Sequence, residues 1–165
     1  WIQLFSFLRL AKVQRVAPIA HRVAGKQQLD MDTAIAILNN RFQIMAQYRK
    51  LVIAPLVKQE LAKADVSVRH LFRRAKRLLS RETSLLSEQH EARIAAMLAQ
   101  SQALKVIYEK RLALQQIWLK TSANGHEMLA AISDWVHEAE ASGIQSLREF
   151  ALQLQTYSLR PASAH

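Results

Sequence analysis

The stretch SQALKVIYEKRLALQQIWLK, residues 101–120, decides the fold class. Leu104, Ile107, Tyr108, Leu114, Ile117 and Trp118 recur there at steps of three and four, the spacing that lines side chains up on one face of an α-helix. The same period continues on both sides. A helix over 87–100 is expected upstream, with Ser87 as its cap and Glu88 in its first turn, where a carboxylate complements the positive end of the dipole. Downstream, after Ala123-Asn124-Gly125, a helix to about residue 142 buries Leu129, Ile132, Trp135, Val136 and Ala139. Gly143 is placed to end it in the left-handed conformation, which glycine adopts without a steric penalty. A last helix aligns Ile144, Leu147, Phe150, Ala151, Leu154 and Tyr157, and Pro161 closes it.

Towards the N-terminus the pattern stays helical. Over 31–64, Ile35, Leu38, Phe42, Met45, Val52 and Leu56 keep three-four spacing with one gap at Arg49. Asp30 and Asp32 favour a start there, and Pro55 is expected to kink or split the helix because it removes a donor and crowds the preceding turn. Residues 66–81 read as a short basic helix: Arg69, Arg73, Arg74, Lys76, Arg77 and Arg81 surround Val68, Leu71, Phe72, Leu78 and Leu79. Residues 1–29 begin with an apolar, aromatic run (Trp1, Ile2, Leu4, Phe5, Phe7, Leu8, Leu10) and pass into Arg9, Lys12, Arg15, Arg22 and Lys26. That segment reads either as a chain leaving a membrane-associated core or as a short amphipathic helix docked on the rest.

Composition agrees with helices throughout. Only three Gly and three Pro occur in 165 residues, and 50% of the chain is hydrophobic, enough for a real core. The absence of cysteine removes disulfides, thiolate zinc sites and thiol catalysis together. The apolar runs are too short for the roughly twenty residues a membrane span needs. Trp1 stands where an initiator Met or a signal peptide would be, so the chain reads as a piece of a larger protein.

Charge is divided unevenly. Residues 1–81 hold 16 Lys/Arg and 4 Asp/Glu, a net +12, while residues 82–165 hold 7 and 9, a net −2. A polyanion meeting the first half is the expectation, and phosphates of lipid or of nucleic acid both satisfy it. The anionic-surface residues are Arg69, Arg73, Arg74, Lys76, Arg77 and Arg81. They could contact DNA phosphates, or lie on anionic lipid with the Leu/Phe face dipped into the interface. The plain alternative is a solvated helix whose apolar stripe packs on its neighbours. Aromatic stacking residues are not interleaved with these arginines as a single-strand binder requires, Phe72 alone lying among them.

No catalytic or metal site is expected in this chain. The six histidines, His21, His70, His90, His126, His137 and His165, are scattered. Asp134 and His137 form a single Asp-x-x-His step, whereas a di-iron bundle needs two Glu-x-x-His steps and two more carboxylates. HExxH, a phosphate-cradling Gly-rich loop and GxSxG are all absent. Trp118 and Trp135 fall on apolar helix faces and read as core.

Two resemblances suggest what such a piece belongs to. The strings Asn40-Arg41-Phe42-Gln43-Ile44-Met45-Ala46 and Leu71-Phe72-Arg73-Arg74-Ala75-Lys76-Arg77-Leu78-Leu79 resemble the region after the catalytic core of proteobacterial acyl-CoA (stearoyl-type) desaturases. Leu8-Arg9-Leu10-Ala11-Lys12-Val13-Gln14-Arg15-Val16-Ala17-Pro18 is similar to the place where that core ends. The second half continues that extension and also resembles a helical segment of insertion-sequence transposases. The strings that carry this second likeness are Leu104-Lys105-Val106-Ile107-Tyr108, Leu114-Gln115-Gln116-Ile117-Trp118, and Trp135 through Ile144.

The desaturase resemblance implies a membrane-bound oxidoreductase of lipid metabolism that inserts a cis double bond into a fatty acyl chain. Its iron, held by histidine boxes, would lie upstream, with no cofactor in this chain. On that reading the chain is a non-catalytic C-terminal region on the cytoplasmic face of the bacterial inner membrane. Its partners would be the anionic membrane surface or the parent catalytic core. The transposase resemblance implies a DNA-binding helical accessory segment and nucleic acid as partner. The expected architecture is all-α, a helical bundle of about five to seven helices with a short apolar-basic N-terminal segment. Its expected divisions are a linker at 1–29, a basic helical region at 30–81, a helical subdomain at 82–160 and a tail at 161–165.

Overall fold

The computed structural model describes residues 31–120 and 125–156. The expectations for the 1–29 linker, the Asp30 cap, the break at 123–124, Tyr157, Pro161 and the tail lie outside the described residues. Within them the all-α expectation holds, with helices and turns and no strand. In chain order the α-helices are α1 (Met31–Asn39), α2 (Arg41–Tyr48), α3 (Ala54–Lys63), α4 (Arg69–Phe72), α5 (Ala75–Leu78), α6 (Glu88–Gln100), α7 (Gln102–Leu119), α8 (Gly125–Ala141) and α9 (Gln145–Gln155).

α2 and α3 are halves of one rod. A wide π turn over Arg49–Ile53 joins them, and the Ala54 N–H reaches back to the Arg49 carbonyl, five residues away. This turn is how the chain accommodates Pro55, which follows it at the start of α3. The helix expected to kink or split at Pro55 therefore continues, with one residue of extra winding. The gap in the apolar pattern at Arg49 marks the place where that residue is inserted.

The inward face ahead of this turn differs from the expected one. Val52 and Leu56 are buried as expected, with Ile53 and Val57 beside them, but ahead of the turn the buried residues are Ala34, Ile37, Ile44 and Tyr48, while Ile35, Leu38 and Met45 are half-buried and Phe42 is exposed. Asn40, with φ −108° and ψ 19°, breaks the helix between α1 and α2 and adjusts their faces. Its N–H bonds to both the Ala36 and the Ile37 carbonyls, a tightened turn.

Tyr48 anchors the chosen face. Its ring meets Phe150 edge-on at 5.1 Å between centroids, and Phe150 in turn meets Trp135 at 6.0 Å. The Tyr48 hydroxyl donates to the Ile107 carbonyl, and Trp135 Nε1 donates to the Lys110 carbonyl at 2.8 Å. Each aromatic contact adds about 0.5–1.5 kcal/mol beyond the area it buries. Both polar tips are satisfied by α7, so α2, α7, α8 and α9 are fixed together at one point.

Around this cluster α9 packs along α8 and against the π turn, α8 against α7 and α1, and α7 against α2, α3 and α6. The stretch that decided the fold class supplies Leu104, Ile107 and Leu114 to the core, all fully buried. Ser87 caps α6 as expected. The helix closes with His90 in the reciprocal position, where a Glu or Gln is usual: His90 N–H donates to Ser87 Oγ, and Ser87 N–H donates to His90 Nδ1. Gly143 ends α8 with φ +74°, the left-handed conformation anticipated for it. No helix among the described residues is long and apolar enough to cross a membrane.

Candidate nucleic-acid interface

The basic segment is not the continuous helix that residues 66–81 were expected to form. It is two single turns, α4 and α5, interrupted at Arg73 and Arg74. Arg74 adopts φ 66°, the one positive φ of a non-glycine residue among the described residues. A left-handed arginine costs on the order of 1 kcal/mol. Phe72, Ala75, Leu78 and Leu79 are all buried, while Arg73, Arg74, Lys76 and Arg77 between them are exposed. Both turns pack between α3 and α6.

Inward apolar residues leave the cations outside. Arg69, Arg73, Arg74, Lys76 and Arg77 are exposed and Arg81 is half-buried. None of the six forms an ion pair among the described residues, where the pairs are Lys63 with Glu60 and Lys110 with Glu138. Arg69 has a structural duty besides its charge, since its Nε donates to the Ala64 carbonyl at the end of α3. Arg73, Arg74, Lys76 and Arg77 carry no such bond and present four positive charges within five residues. The lipid form of the expectation loses its anchor here. Phe72, Leu78 and Leu79, which were to dip into a bilayer, are 4%, 4% and 0% exposed.

The far end of the segment is fastened to α7. Arg111 Nη2 donates to the Ser80 carbonyl at 2.9 Å, and Gln115 Nε2 donates to a Glu82 carboxylate oxygen at 3.0 Å. Ser80 Oγ closes the turn on the Lys76 carbonyl. Arg111 is only 5% exposed, and burial pulls its guanidinium below the usual range, opposed by the Glu82 charge. Arg111 stands at a core position, in register with Leu104, Ile107 and Leu114. Sequence reasoning passed over it, although an arginine falling on the apolar spacing of α7 was the available signal.

The remaining expected side chains do not converge. His126, Asp134 and His137 are exposed on α8, and His137 Nδ1 is bonded to the Ser133 carbonyl of its own helix. Among the described residues no group of three or more His, Asp or Glu side chains is placed to hold a metal ion. Trp135 is core, 3% exposed, and Trp118 on α7 is half-buried against the core.

No curated protein and no solved structure matches the chain. A family model described as transposase, of the ISL3 type, matches residues 32–160. This overturns the desaturase reading. The match takes in both Asn40–Ala46 and Leu71–Leu79, the strings that carried the desaturase resemblance, and assigns them to another family. Their likeness has a physical source: Ile44, Phe72, Ala75, Leu78 and Leu79 are buried positions of basic amphipathic turns, a pattern that unrelated helical proteins share. Acyl-chain oxidation, lipid metabolism, the upstream iron and the inner-membrane placement fall with that reading. Over 32–160 the chain belongs to the ISL3 transposase family.

Proposed function

We propose that this region is a DNA-binding helical segment of a transposase, and that residues 69–81 supply the phosphate contacts. The observation that carries the reading is the cluster Arg73, Arg74, Lys76 and Arg77, exposed and without a carboxylate partner among the described residues. The apolar residues between them are turned into the core. A surface of that kind has charge to offer and no hydrophobic face, which suits a phosphate backbone better than a bilayer. Family membership supports nucleic acid as the polyanion. Arginine contacts to phosphate fix register and affinity without reading sequence, so the segment is a positioning surface. Arg111 and Gln115 hold its C-terminal end still from beneath.

The test is duplex binding measured across a series of salt concentrations. Wild-type affinity is expected to fall steeply with salt, and Arg73→Ala, Arg74→Ala and Arg77→Ala combined are expected to flatten the log–log slope by about 3. Wild-type protein that ignores duplex at low salt would sink the proposal. So would a triple variant that binds with an unchanged slope.

A further inference from the structure

The rod from α2 to α3 carries a second basic face. Its outward residues begin with Phe42, Ala46, Arg49 and Lys50, spaced as a single stripe on a helix, and Lys58 is exposed beyond the π turn. Residues 41–63 contain one carboxylate, Glu60, and it is turned inward to accept a hydrogen bond from Ser101 Oγ at 3.0 Å. Arg49, Lys50 and Lys58 form no ion pair among the described residues. The stripe is therefore positive along its length.

Phe42 sits at the head of it, 77% exposed. It is the one exposed large aromatic among the described residues. The ring is also held. The Arg41 guanidinium lies over one side at 4.6 Å from the centroid, and Arg41 Nη1 donates to the Leu38 carbonyl at 3.2 Å. One face of the ring is thus occupied by a fixed cation and the other has no ring or cation against it. An aromatic plane backed by a guanidinium, with lysine and arginine following along the same helix face, is the arrangement that stacks a nucleic-acid base and tracks its backbone.

We propose that Phe42 stacks on an unpaired base while Arg49, Lys50 and Lys58 neutralise the neighbouring phosphates. The inference rests on the DNA-binding reading above and adds the kind of DNA. Bases inside a duplex have both faces covered, so Phe42 takes one from a single strand, a frayed end or a flipped position. The 69–77 cluster has no exposed aromatic and holds duplex and single strand alike.

The experiment is fluorescence anisotropy on the full chain with a labelled single strand and with a blunt duplex of the same length. Wild type is compared with Phe42→Ala, Phe42→Leu, Phe42→Trp and the Arg73/Arg74/Arg77 triple alanine variant. Phe42→Ala and Phe42→Leu are expected to weaken single-strand binding by roughly 5- to 150-fold, the worth of one stacked base. Both should leave duplex binding unchanged, and Phe42→Trp should restore the single strand. Circular dichroism melting should coincide for all four, because an exposed ring contributes little to the core.

Duplex binding that is intact in wild type, with single-strand binding indifferent to Phe42→Ala, overturns this inference and leaves the phosphate-binding reading standing. Wild type that binds neither DNA overturns both. A Phe42→Leu variant that binds single strand like wild type assigns the face to apolar contact, not base stacking, and overturns the inference. So does a change of oligomeric state on Phe42→Ala, which would make the face a protein interface.

Discussion

Tyr48 shows how much one residue decides. Its ring sets which face of α2 turns inward, and its hydroxyl ties that helix to the Ile107 carbonyl. Tyr48→Phe keeps the ring and loses the bond, so a loss of about 1 kcal/mol in denaturant stability is expected at neutral pH. Burial also pushes the Tyr48 hydroxyl well above the usual phenol range, and raises that of Tyr108. The unfolded chain then gives up these protons first, near the ordinary phenol value of about 10. Stability is therefore expected to fall as pH rises above about 10, and to fall less steeply in Tyr48→Phe. Urea titrations at several alkaline pH values check it; equal slopes for the two proteins would contradict it. Arg74 offers a second test at this scale. Its φ of 66° suits glycine and penalises β-branched side chains. Arg74→Gly should leave stability within about 1 kcal/mol of wild type, and Arg74→Val should lose about 1–2 kcal/mol.

Elements were legible in the sequence wherever apolar residues had only one way to face. In α7 and α9, Leu104, Ile107, Leu114, Leu147, Phe150 and Leu154 recur at helical spacing, and all six are buried as that spacing required. α1 and α2 are apolar over a wider arc, with Ala34, Ile35, Ala36, Ile37 and Leu38 in succession. Two neighbouring stripes were therefore available there, and a distant contact to Trp135 and Phe150 chose between them. That is why Phe42, assigned to the core by periodicity, is on the surface. Segment 66–81 departs from its expected single helix for a different reason. Its cations were visible as a cluster, but the left-handed turn at Arg74 was not, because no glycine or asparagine marks that position.

Arg111 belongs to this scale too, because it joins α7 to the end of the basic segment. Arg111→Met keeps most of the packing and removes the bond to Ser80, while Arg111→Ala also opens a cavity. Arg111→Ala is expected to be the less stable of the two by about 1–3 kcal/mol. Both should speed amide exchange at residues 80–82 and lower duplex affinity without changing the number of phosphate contacts, because the cations themselves remain. Exchange rates at 80–82 equal to wild type in Arg111→Met would show that the bond holds nothing in place.

At the scale of the whole molecule, charge and core are separated. Buried side chains from Ala34 to Leu154 form one cluster, and the elements nearest its N-terminal side present Arg49, Lys50, Lys58 and the 69–77 cations outward. The surplus of positive charge in residues 1–81 was plain from counting. The lipid reading came from the quoted strings and from an apolar run leading into basic residues, and neither distinguishes an apolar face that is free from one that is already packed. The most direct test of DNA binding through the 69–77 surface follows the arginine side chains themselves. In a two-dimensional NMR titration with duplex DNA at roughly 50 mM salt, the Nε–Hε signals of Arg73, Arg74 and Arg77 should shift. Those of Arg93 and Arg148, which are exposed on α6 and α9, should not. Bound DNA that moves Arg93 or Arg148 and leaves Arg73, Arg74 and Arg77 unchanged would contradict the assignment.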